Sequence, residues 1–230
     1  MSVMALVLDQ TSREDFWKAV DPLEYHPKLV LKLGLRLLPL LTADDFTKLR
    51  DRGFKLFIDV KLHDIPSQVA DAVSTWADLG ASFITVHLSG GRMMLKAAQD
   101  AAEQHSVQLF GVSVLTSLDE NDIREIGFAH DLKSQVKTLV SLGHECGLTG
   151  FVCSPFEIES ILELYPAAQL VTPGISLTAD MKGVGSDQKR RMTFDEALAM
   201  GSFMPVVGRA LWNAPDFNKA LHNLLEQLEA

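Results

Sequence analysis

Cysteine is nearly absent: Cys146 and Cys153 are the only two in 230 residues, with six residues between them and no C-x-x-C. That excludes a disulfide scaffold, and the pair reads as small buried hydrophobes in a reducing cytosol. His144 stands close to Cys146, but the pattern lacks the spacing of a metal site. Long apolar runs are missing too. None approaches the ~18 residues of a membrane span. Met1 to Asp9 has neither a basic flank nor a small-residue cleavage site, so it reads as a first strand and not as a leader. Basic charge is in deficit, with 21 Lys and Arg against 30 Asp and Glu for a net of -9. With no basic run, nucleic-acid polymers are excluded as partners. A small anionic ligand stays open, because a local cluster can oppose the global sign. There is no Walker loop, no G-x-G-x-x-G after the first strand, no G-x-S-x-G elbow and no H-E-x-x-H.

What is present is a globular composition, 47% hydrophobic and 22% charged, arranged as short apolar runs alternating with longer amphipathic stretches. The runs Val3–Leu8, Leu29–Leu33, Lys55–Val60, Phe83–Leu88, Leu109–Leu115, Gly150–Cys153, Gln169–Val171 and Met204–Val207 predict strands. Helices are predicted at Arg13–Val20, Ala43–Arg52, Ser67–Leu79, Arg92–Gln104, Leu132–Cys146, Pro155–Leu164, Phe194–Met200 and Pro215–Leu228. Ser12 and Thr42 open two of them, Pro66 stands at the first turn of a third, and Gly53 and Gly80 follow helix ends. Eight β–α units of about 29 residues each fit a single α/β domain over residues 1–230, a closed (β/α)8 barrel. A doubly wound open sheet is the alternative. Ser176 to Thr193 is the longest irregular stretch and is expected to be a mobile loop on the phosphate side.

Polar residues gather where the runs end. Asp9 follows the first, Lys32 interrupts the second, and Asp59 and Lys61 bracket Val60 at the end of the third. His87 ends the fourth and Thr116 follows the fifth. In a barrel these ends line the active-site mouth. Strand alternation sends Asp59 and Lys61 to one face and Val60 to the other, with Lys32 one strand away. Charges in such apolar contexts are held by pairing, so an alternating Lys/Asp array is the expected arrangement; a structural ion-pair plug is its alternative. Pro173-Gly174 after the seventh run and Gly208-Arg209 after the eighth match the places where barrels bind phosphate through backbone N–H groups and a bidentate cation. Trp17, Trp76, Trp212 and the pair Met93-Met94 read as core on helix faces.

The segment Asp59-Val60-Lys61-Leu62-His63-Asp64-Ile65-Pro66 resembles the signature of the orotidine 5'-monophosphate decarboxylase family. Leu31–Gly34, Val86–Gly91, Val114–Ser117, Val171–Ile175, Asp187-Gln188 and Val207–Arg209 extend the resemblance over nearly the whole chain. It implies conversion of orotidine 5'-monophosphate to UMP in pyrimidine biosynthesis by a cytoplasmic barrel enzyme, with no cofactor and no metal. It also implies that Lys61 is the proton donor, that Asp59 lies against the substrate carboxylate and that Lys32 joins the charged array and contacts the ribose. Asp9 would hold a ribose hydroxyl, Thr116 the base, and Gln188 and Arg209 the phosphate and lid. Asp64 would reach into a neighbouring subunit's site, giving a homodimer with shared active sites.

Two positions depart from the family pattern. Gln68 replaces a threonine after Ile65-Pro66, and Ser176 replaces an arginine after Pro173-Gly174-Ile175, leaving Lys182, Lys189 or Arg190 to supply charge. They motivate one alternative, a catalytically silent nucleotide-binding barrel. Another is a Mg-dependent sugar-phosphate decarboxylase or aldolase-like enzyme of the same superfamily.

Overall fold

A computed structural model describes residues 1–177 and 192–229. Eight parallel strands close a barrel: β1 (Met4–Leu8), β2 (Leu29–Gly34), β3 (Lys55–Leu62), β4 (Ala81–His87), β5 (Gln108–Val112), β6 (Gly150–Val152), β7 (Gln169–Thr172) and a closing strand, Met204–Val207. Between β7 and that last strand, β8 (Ile175–Ser176) pairs with β9 (Met192–Thr193), so the closing strand is β10. The order β1-β10-β7-β6-β5-β4-β3-β2 has no free edge, which excludes the doubly wound alternative. β1 and β10 form the seam, with Ala5 opposite Val206 and Leu6 opposite Val207.

The helices cover the outside: α1 (Arg13–Val20), α2 (Ala43–Asp51), α3 (Pro66–Asp78), α4 (Gly91–Gln104), α5 (Glu120–Glu125), α6 (Leu132–Glu145), α7 (Ile158–Leu162), α8 (Phe194–Ala199), α9 (Arg209–Trp212) and α10 (Phe217–Gln227). Local chemistry sets their starts. The Ser12 hydroxyl accepts from the Asp15 N–H at 3.0 Å, and the Thr42 N–H donates to Asp45 Oδ2 at 2.8 Å, part of a capping box. The expected helix Pro155–Leu164 is instead a 3-10 turn at Pro155–Glu157 followed by α7. Two short helices, α5 and α9, went unpredicted, being too brief to show a periodicity. Among the described residues, no helix is long and apolar enough to cross a membrane.

Strand alternation splits the core in two. Outward residues such as Leu6, Leu31, Ile58 and Ile84 pack against the helices. Inward residues Val3, Ala5, Val30, Phe57, Phe83, Phe110, Val171, Met204 and Val206 fill the barrel. Within this plug Phe57, Phe83 and Phe110 lie 5.6 to 6.2 Å apart, ring centre to ring centre, and Phe203 stacks below Phe110 at 6.3 Å. At its lower end the side chains of Gln108 and Gln169 hydrogen-bond to each other. The expectation for the Met pair needs correcting. Met94 is buried, but Met93, the next residue on α4, is 73% exposed because one helical step turns it away from the barrel.

Candidate active site

Along β1 to β4 the inward positions change from apolar to polar towards the carboxyl end, whereas β5, β6, β7 and β10 line the same space with Val112, Val152, Val171 and Val206. Val30 is followed by Lys32, Phe57 by Asp59, Phe83 by Thr85, and Ala5 and Val7 by Asp9. Above the phenylalanine plug they surround a cavity of about 510 Å³. Its wall includes Asp9, Lys32, Phe57, Asp59, Lys61, Thr116, Pro173, Gly174, Ser176, Gly208, Arg209 and Asn213. Eight of the expected site residues therefore meet in one place: Asp9, Lys32, Asp59, Lys61, Thr116, Pro173, Gly208 and Arg209. Two do not. Asp64 is exposed and off the cavity, its Oδ1 accepting the N–H of Ile65 at 2.6 Å; among the described residues it makes no ion pair with Lys61 of its own chain. Gln188 lies outside the described residues, as do Lys182, Lys189 and Arg190.

The centre of the cavity is a Lys–Asp–Lys array. Lys32 Nζ donates to Asp59 Oδ2 and Lys61 Nζ to Asp59 Oδ1, each at 2.7 Å. The Asp59 side chain is 14% exposed. Burial by itself would raise its carboxyl pKa, but the charges of Lys32 and Lys61 and their hydrogen bonds overcome this and hold it well below the ordinary range. One carboxylate between two ammonium groups leaves the array with a net positive charge. Over the described wall, Lys32, Lys61 and Arg209 face Asp9 and Asp59, so the site is locally cationic in a chain of net charge -9.

The expected alternation of Asp59 and Lys61 holds, but not by regular strand geometry. β3 pairs Ile58 with Ile84 and Leu62 with Val86, so Asp59, Val60 and Lys61 together stand against the single residue Thr85. Lys61 takes a left-handed backbone at φ 50, a conformation costing roughly 1–2 kcal/mol in a non-glycine residue. Such strain persists where neighbours fix the backbone, and it concentrates at functional sites. Thr85 supplies the fixing contacts, which charge-based reading of the sequence missed; the alternation Phe83, Thr85, His87 was the signal available for it.

His87, read as a mouth residue, instead packs against His63 with ring centres 5.4 Å apart. Burial, then His63 and Lys61, lower its pKa, against the pull of Asp59. On the opposite side Gly174 turns the chain out of β7 at φ 86, in the left-handed region open to glycine. At Gly208 a Cβ would stand 3.1 Å from Val7 Cβ, so glycine is what lets α9 begin against β1. Ser176, where the family pattern has arginine, is 2% exposed and donates its hydroxyl to the Met192 carbonyl at 3.2 Å. Gln68, the other departure, is exposed in the first turn of α3. No group of three or more His, Cys, Asp or Glu side chains suited to a metal ion occurs among the described residues.

A closed parallel barrel with a charged cavity at the carboxyl ends of its strands defines a (β/α)8 barrel enzyme built for a small anionic substrate. Comparison with known proteins narrows the class. A family model described as "Orotidine 5'-phosphate decarboxylase / HUMPS family" matches residues 3–224. The orotidine 5'-phosphate decarboxylase of Pseudomonas fluorescens is 37% identical over 227 residues, covering 97% of this chain and 96% of that protein. The corresponding Pseudomonas savastanoi protein is 38% identical, with the same coverage. The crystal structure of orotidine 5'-phosphate decarboxylase from Lactobacillus acidophilus superposes with a TM-score of 0.88 at 29% identity, covering 100% of both chains. An uncharacterized conserved protein from Geobacillus kaustophilus gives a TM-score of 0.83 at 28% identity, over 97% of this chain and 99% of its own. The chain belongs to the orotidine 5'-phosphate decarboxylase / HUMPS family.

Proposed function

We propose that the Lys32–Asp59–Lys61 array carries out the decarboxylation of orotidine 5'-monophosphate to UMP, with Lys61 as the proton donor. The activity itself follows from the family and from the relatives, which are orotidine 5'-phosphate decarboxylases. The observation that supports the assignment of roles is the pair of 2.7 Å contacts holding two ammonium groups on one carboxylate at the mouth of the barrel.

The bond between C6 of the pyrimidine and its carboxyl carbon breaks, CO2 leaves, and the electron pair stays on C6 in an orbital that the ring cannot delocalise. The protein must stabilise that charge with groups already in place. Lys61 Nζ does so electrostatically and then gives C6 a proton, which solvent later restores. Asp59 holds both ammonium groups in place through its two contacts, and it sits where the substrate carboxylate enters. Lys32 and Asp9 take the ribose, Thr116 the base. Arg209, with the backbone at Pro173-Gly174 and Gly208, takes the phosphate, whose distance from C6 suits it to supplying binding energy rather than chemistry. Asp64 serves the site of a second subunit, a reading supported by its exposure away from its own cavity and by its neighbour Ile65, 62% exposed.

Absorbance of orotidine 5'-monophosphate with purified protein in chelator, beside Lys61→Ala, tests this. The expected result is rapid conversion to UMP, lost in the variant while UMP binding is kept. Turnover by Lys61→Ala at the unmodified rate removes Lys61 as proton donor. Activity that disappears with chelator and returns with Mg²⁺ and a sugar phosphate points to the superfamily alternative, and UMP binding without turnover to a silent binder.

A further inference from the structure

We propose that Thr85 is a positioning residue for the reaction, setting the direction of the Lys61 ammonium through the Lys61 backbone and the Asp59 carboxylate. This rests on the roles given above to Lys61 and Asp59. The Thr85 hydroxyl accepts the Lys61 N–H at 2.8 Å and donates to Asp59 Oδ1 at 3.1 Å. Thr85 is 0% exposed, so its hydroxyl is out of contact with water.

The register explains why a hydroxyl is needed. Three residues of β3 stand against Thr85 alone, so the regular ladder cannot supply a partner for the Lys61 N–H. A buried N–H without a partner is costly, and the side chain opposite the bulge is the group in reach. One hydroxyl can accept from the N–H and donate to the carboxylate at once. Its proton thereby lands on Oδ1, the oxygen that also receives Lys61 Nζ, while Lys32 holds Oδ2. The backbone of Lys61 and the anchor of its side chain are thus fixed by one atom of β4. Proton transfer to C6 needs the donor in a narrow geometry, and a displacement of about 1 Å can cost about 100-fold in rate.

Thr85→Val keeps the shape and deletes the hydroxyl; Thr85→Ser keeps the hydroxyl and deletes a methyl. The measurements are kcat and KM for orotidine 5'-monophosphate, UMP affinity and thermal midpoint, with Lys61→Ala alongside. Thr85→Val is expected to lower kcat by about 10- to 100-fold with KM and UMP affinity little changed. Thr85→Ser is expected to recover kcat to within about threefold of the unmodified enzyme, whatever its thermal midpoint. Unmodified kcat in Thr85→Val, or an equal fall in both variants, overturns the proposal and leaves Thr85 as packing. If Thr85→Val does not fold, Thr85→Ala against Thr85→Ser carries the same comparison, and equal kcat values overturn it. Lys61→Ala separates the two levels: its full activity sinks the underlying site assignment, whereas an inactive Lys61→Ala beside a fully active Thr85→Val sinks the role of Thr85 alone.

Discussion

A single carboxylate, Asp59, does most to organise the cavity, and its protonation has a calculable sign. Its folded pKa lies below the ordinary carboxylate value of 3.8 because two lysines favour the ionised form. The stability it contributes is complete above that ordinary value and is lost as pH falls through the folded one. Asp45 is lowered in the same direction; burial opposes the shift, and Arg13, Thr42 and Trp17 outweigh it. Urea midpoints measured against pH are therefore expected to decline below about pH 4, with neither aspartate contributing a slope between about pH 5 and 8. A slope through neutrality that vanishes in Asp59→Asn would contradict this. At the other end of the cavity Arg209 bears on binding. Arg209→Ala is expected to raise KM by roughly 10- to 100-fold, the worth of a charge-assisted phosphate contact. An unchanged KM would take the phosphate away from that end.

Among the elements, α1 and α2 are joined by a polar cluster that is not part of the cavity wall. Asp45, with its side chain 0% exposed, accepts two bonds from Arg13 Nε and one from Trp17 Nε1 at 2.8 Å while capping its own helix. Asp45→Ala strands those donors. Because Arg13 is 45% exposed and can turn to water, the expected loss is about 2 kcal/mol rather than the larger penalty of a fully buried pair, measurable as a shift in urea midpoint. The eight barrel strands were legible in the sequence because each buries a short β-branched or aromatic run, and most helices because their caps and periods are written in side chains. The charged half of the cavity was legible for the related reason that Lys32, Asp59 and Lys61 interrupt apolar runs. Thr85 and Asn213 were not: unlike Thr116, which follows the end of a run, Thr85 lies inside β4 and Asn213 beyond α9, so neither stands out until the register and the cavity show what they face. The β8–β9 pair was hidden as well. Ser176, Met192 and Thr193 sit at the two ends of a stretch read as irregular and Ile175 just before it, paired across a long separation in sequence.

At the scale of the whole molecule, the cavity among the described residues lies at the carboxyl ends of the strands, and Asp64, which follows β3 at that end, is exposed. If it completes a second subunit's site, mixing two inactive variants, Lys61→Ala and Asp64→Ala, is expected to restore part of the activity, since one of the two sites in a mixed dimer then carries neither substitution. No recovery after subunit exchange, or sedimentation as a monomer during turnover, would count against shared sites. The seam has a consequence of another kind, in time rather than in space. Asp9 and Arg209 share the cavity wall yet stand 200 positions apart in the chain, brought together by the pairing of β1 with β10 and by contacts such as the bond from Trp212 Nε1 to the Val7 carbonyl at 2.7 Å. The first strand made must wait, unpaired on one side, for nearly the last. Lys32, Asp59 and Lys61 come from the neighbouring strands β2 and β3, whereas the part of the wall that Asp9 and Arg209 form together is complete only when the last strand closes the barrel.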